Sequence, residues 1–81
     1  MEKQQIEAEV IQIIAEQLGQ DPEQITLDCD LANDLSADSL DLAELMIAFE
    51  EKFELDIDDE ALGKIETVGD VVEQIASQLK S

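Results

Sequence analysis

The sequence predicts an all-α fold: a small antiparallel four-helix bundle with three main helices, one short helix and a long loop between the first two helices. Three observations carry this. Apolar residues recur at three- and four-residue spacing in three separate segments, as on helices with one buried face. No segment alternates apolar and polar residues in the manner of a half-buried strand. The 81 residues suffice for a single core with limited burial, too small to wall a deep cleft.

The first helix is expected from about Lys3 to Leu18, with Ile6, Val10, Ile13, Ile14 and Leu18 inward and Gly19 as its stop. Asp21-Pro22 opens the long connection, in which Ile25, Leu27, Leu31 and Leu35 are spaced to pin the loop to the core. The second helix should start near Ser39 and reach about Phe53. Asp38 is its N-cap, Asp41 lies in its first turn, and Leu42, Leu45, Met46, Phe49 and Phe53 form its stripe. A short third helix is expected at about Asp59 to Lys64, weakened by Gly63. The last begins after Thr67, with Asp70 three residues on, and buries Val68, Val71, Val72, Ile75 and Leu79.

Composition narrows the function. With 22 Asp and Glu against 4 Lys and Arg, the formal net charge is -18. Such a surface repels the phosphates of nucleic acid and an anionic membrane, and it suits basic patches on other proteins. By composition alone, acidity reads first as a means of staying soluble. The 44% hydrophobic content at helical spacing argues against disorder, although self-repulsion should make the fold gain from cations or salt. Cys29 is the single cysteine, so no internal disulfide or Cys-x-x-Cys metal motif exists, and it reads as an incidental loop residue. There is no histidine, hence no ordinary general base near neutral pH, which counts against an enzyme. No apolar run is long enough to span a bilayer and no apolar leader opens the chain, so a cytoplasmic location is expected.

Ser39 draws attention because it falls where a helix's first free N–H groups accommodate a phosphate. Asp38 and Asp41 would repel one, so a phosphate there must be covalently held. Without a base in the chain, Ser39 is not a self-activated nucleophile, and any reaction at its hydroxyl needs a base brought by another protein. The residues by themselves favour the plainer reading, an ordinary first-turn serine.

The segment Asp38-Ser39-Leu40, preceded by Asp34-Leu35 and followed by Asp41, resembles the attachment motif of acyl carrier proteins. The resemblance spans nearly the whole chain. It includes Ile13-Ile14 with Gln17-Leu18-Gly19, Glu44-Leu45, Glu50-Glu51-Lys52-Phe53, Ile57 with Asp59-Glu60, and Lys64-Ile65 with Thr67-Val68. It implies one acyl carrier domain over residues 1–81 with a covalent 4′-phosphopantetheine on Ser39, transferred from coenzyme A by a phosphopantetheinyl transferase. Acyl chains then ride as thioesters on the arm, and the carrier, a monomer, catalyses nothing itself. The implied pathway is dissociated (type II) fatty acid biosynthesis, the partners being its enzymes with basic docking patches. The alternatives are a carrier for a specialised polyketide or lipid-modification pathway, or an acidic helical adaptor without a prosthetic group.

The same resemblance makes Asp38, Asp41, Glu44, Glu50, Glu51, Asp56 and Asp59 a docking face, against the plain alternative of a solvated acidic surface. It makes Leu42, Met46, Phe49, Ile57, Leu62, Ile65 and Val71 the lining of the space that shelters the acyl chain; from the residues alone they are core packing. Two departures stand out: Ser36 where the family commonly has glycine, and Asp58 where proline often precedes the third helix. No metal site is expected. Asp28-x-Asp30 and Asp56-x-Asp58-x-Glu60 open like calcium loops, but Asn33 and Ala61 replace the required glycine and Ser39 and Thr67 the closing glutamate.

Overall fold

The computed structural model describes residues 2–57, Glu60 and 63–79. Among the described residues the fold is all-α, with helices at Lys3–Leu18, Ser39–Phe53 and Val68–Leu79 and a 3-10 turn at Pro22–Gln24. The first helix stops where Gly19 takes the left-handed conformation, φ 66°, and the amides of Gly19 and Gln20 both donate to the Ala15 carbonyl. Thr67 and Asp70 cap the C-terminal helix reciprocally: the Asp70 amide donates to Thr67 Oγ1 at 3.2 Å, and the Thr67 amide to Asp70 Oδ2 at 3.1 Å. Of the expected short helix, Glu60 and Gly63 are helical, while Asp58, Asp59, Ala61 and Leu62 lie outside the described residues.

The first helix lies against both others. Val10, Ile14, Leu45, Phe49, Val71 and Ile75 meet at the centre, fully buried. Gripped from two sides, the first helix buries a wider arc than one stripe. Ala15 is therefore inside, while Ile13 and Leu18 are half-buried at the margins. Leu79 likewise packs at the edge.

The long loop is stitched to the start of the C-terminal helix. Leu31 N–H donates to the Glu66 carbonyl at 2.9 Å, Val68 N–H to Cys29 at 3.0 Å and Gly69 N–H to Leu27 at 2.9 Å, around an isolated antiparallel bridge between Asp30 and Thr67. Ile25, Leu31, Leu35 and Ala37 anchor the loop in the core. Leu27, expected with them, is instead 37% exposed, because its contribution is its carbonyl and not its side chain. Cys29 is half-buried and structurally engaged: its Sγ accepts the Thr26 N–H at 3.4 Å.

Among the described residues, two ion pairs tie the first helix outward, Lys3 with Glu73 and Lys52 Nζ with Glu9 Oε2 at 3.1 Å. Both are exposed, so each contributes little to stability. The Glu73 carboxylate, by hydrogen bond and charge, holds the Lys3 ammonium above its ordinary pKa.

Candidate functional site at the second-helix N-terminus

Two turns of backbone deliver Ser39 to the surface. Asp30 caps a local turn: its Oδ1 accepts the amides of Ala32 at 3.0 Å and Asn33 at 2.9 Å, and Asp34 Oδ2 accepts the Asp30 N–H at 2.8 Å. The chain then reverses through Ser36 at φ 58°. That left-handed backbone costs a non-glycine residue about 1 kcal/mol or more. Buried Leu35 and Ala37 on either side, and the Ala37 N–H bonded to the Leu31 carbonyl at 2.9 Å, hold it there. The position where the resemblance leads one to expect glycine is thus one whose geometry asks for glycine.

Asp38 then caps the second helix. Its Oδ1 accepts the Asp41 N–H at 2.9 Å, and Asp41 Oδ2 accepts the Asp38 N–H at 3.2 Å. This reciprocal cap relieves the serine of capping duty. Ser39 occupies the first helical position, exposed, and its hydroxyl has no hydrogen-bond partner among the described residues. Leu40 beside it is 66% exposed. The residues therefore fit a covalently attached phosphate: a free, accessible hydroxyl, helix-start amides to meet the anion, and carboxylates committed to backbone bonds. The sequence has no histidine, the usual general base near neutral pH, to pair with that hydroxyl.

The expected docking residues divide by environment. Asp38, Glu44, Glu51 and Asp56 are exposed, Asp41 and Glu50 are half-buried, and Asp59 lies outside the described residues. Asp41 is engaged in the cap, and Glu50 Oε2 accepts the Ile57 N–H at 2.8 Å. Sequence spacing held no signal for the Glu50 contact, because it spans seven residues across a chain reversal at Glu54, φ 54°.

Of the expected pocket residues, Met46, Phe49 and Val71 are core, Ile65 is buried at its edge, Leu42 and Ile57 are half-buried, and Leu62 lies outside the described residues. Leu42 and Ile65 border a shallow cavity of about 340 Å³ beside the loop residues Leu31, Ala32 and Asn33, one helical turn from Ser39. No cluster of potential metal ligands forms among the described residues.

Among the described residues, three helices present an exposed, unbonded hydroxyl at a capped helix start, a site that fits a covalently held group. The profile of the phosphopantetheine attachment site matches residues 8–75. A curated acyl carrier protein from Exiguobacterium sibiricum is 46% identical over 79 residues, covering 98% of this chain and all of that one. Among solved structures, a protein from Mycobacterium tuberculosis assigned as an acyl carrier protein superposes with a TM-score of 0.85 at 33% identity, covering 90% of this chain and 97% of its own. The acyl carrier protein of Enterococcus faecalis superposes with a TM-score of 0.79 at 34% identity, covering 95% and 98%. The chain belongs to the acyl carrier protein family, whose members carry a covalent 4′-phosphopantetheine.

Proposed function

We propose that Ser39 is the attachment point and that the carrier serves dissociated fatty acid synthesis. The observation that carries the first part is the reciprocal Asp38–Asp41 cap, which leaves the adjacent hydroxyl exposed and unengaged. In the loading step the Ser39 oxygen forms a bond to the phosphorus of coenzyme A that carries the pantetheine. The bond from that phosphorus to the nucleotide breaks, and the serine proton passes to a base supplied by the transferase. The arm's terminal thiol then holds acyl chains as thioesters. Leu42 and Ile65, which line the shallow cavity near Ser39 together with Asp30 and Glu66, support an apolar shelter for the start of such a chain.

The exposed carboxylates of Asp38, Glu44 and Glu51 support docking of partner enzymes through basic patches, and exposed charge speeds encounter without preventing departure. Strong acidity and the Asp-Ser-Leu form argue against a peptidyl carrier.

Intact-mass measurement after incubation with coenzyme A, magnesium and a phosphopantetheinyl transferase tests the attachment. Wild type gains one arm and Ser39→Ala none. Unmodified wild type, beside a control carrier that the same transferase loads, would sink the assignment. Elongation of the loaded carrier by purified enzymes of dissociated fatty acid synthesis tests the pathway.

A further inference from the structure

We propose that Glu50 acts as a positioning residue, a clasp on the turn after the second helix that holds Ile57, one of the residues the resemblance assigns to the acyl space, against the core. The inference deepens the carrier reading and rests on it for the cargo.

Three amides of one turn converge on this single residue. The Glu50 carbonyl accepts the N–H of Glu54 and, at 3.2 Å, that of Leu55. Its side chain folds the other way and takes the Ile57 N–H on Oε2 at 2.8 Å. The turn needs such a fastener. Glu54 sits at φ 54° without being glycine, a conformation that persists only where surrounding bonds enforce it. Past the helix end, the Ile57 N–H has no helical acceptor of its own. Ile57 and Leu55 pack half-buried against the core, so the carboxylate fixes where the chain leaves the second helix and how closely Ile57 seals the apolar interior. Glu44 and Glu51, by contrast, are exposed and have no such bond among the described residues. Glu50 thus has an architectural task that Glu44 and Glu51 lack.

This assigns the work of Glu50 to acceptor geometry and not to charge. Glu50→Gln keeps a side-chain oxygen within reach of Ile57 and drops the charge, Glu50→Ala drops both, and Glu50→Asp keeps the charge but shortens the reach. The first readout is amide exchange at Ile57 by NMR on the full chain, which requires no prosthetic arm. Exchange should be about tenfold faster in Glu50→Ala and Glu50→Asp, and at the wild-type rate in Glu50→Gln. The second is the lifetime of an octanoyl thioester on the loaded carrier toward hydroxylamine: shortened several-fold in Glu50→Asp, unchanged in Glu50→Gln. Wild-type exchange in Glu50→Asp would overturn the clasp, as would fast exchange in Glu50→Gln. Fast exchange with an unaltered thioester lifetime would overturn its tie to cargo. A chain that never accepts the arm would overturn the carrier reading instead, and the exchange result would stand apart from it.

Discussion

The amide of Gly69 donates to the carbonyl of Leu27 at 2.9 Å, and a Cβ built on Gly69 would stand 3.1 Å from that same oxygen. The loop before the functional helix is therefore joined to the C-terminal helix at a point where a side chain does not fit freely. Gly69→Val should cost about 1–3 kcal/mol, seen as a lower urea midpoint by circular dichroism. Gly69→Ala should fail to deliver the ~1 kcal/mol that alanine ordinarily gains over glycine in a helix.

Asp38 combines a cap with a charge, and the two can be separated. Asp38→Ala should lower stability by about 1 kcal/mol and slow loading of Ser39, because the first helical turn frays. Asp38→Asn retains a capping oxygen, so stability should stay near wild type. Any remaining loss of loading rate, measured by intact mass over time, then reports charge alone.

Glu44 and Glu51 offer a cleaner test of docking than Asp41, whose carboxylate is committed to the Asp38 amide. The pair Glu44→Lys and Glu51→Lys should slow loading by about tenfold at low ionic strength, with the gap narrowing as salt is raised. Equal rates for variant and wild type at every salt concentration would remove the docking role from this face.

Asp70 links the loop junction to pH. The Thr67 amide, and then the Glu66 amide, donate to its carboxylate and hold its pKa below the usual aspartate range. A carboxyl whose pKa is lower folded than unfolded contributes stability above the unfolded value and loses it as pH falls through the folded value. Asp70→Asn should therefore flatten the acid limb of the stability profile below about pH 4. A limb as steep as that of wild type in equilibrium unfolding would show that other carboxylates govern it.

Much of this protein is readable along the chain because its signals are local. Caps act over three residues, so Asp38 with Asp41 and Thr67 with Asp70 mark two helix starts in advance. Helical stripes repeat every three or four residues, so Leu45, Phe49, Val71 and Ile75 are identifiable as core. Other features are not local. Leu27 carries the same apolar signal as Ile25 and Leu31, yet it stays 37% exposed because only its carbonyl is used. Glu50 looks like Glu51 in sequence, and only the reversal at Glu54 brings the Ile57 amide to the former.

By itself the sequence determined the acidity, which is a sum over residues, and the helical class with the caps and stripes that set the helices, since those depend on neighbours within one turn. Tertiary structure decided which acids are free and which are fasteners, how the loop is tied to the C-terminal helix, and where a cavity opens beside Leu42 and Ile65. Those outcomes depend on backbone groups meeting across the chain, and a backbone amide or carbonyl looks the same at every position until the fold chooses its partner.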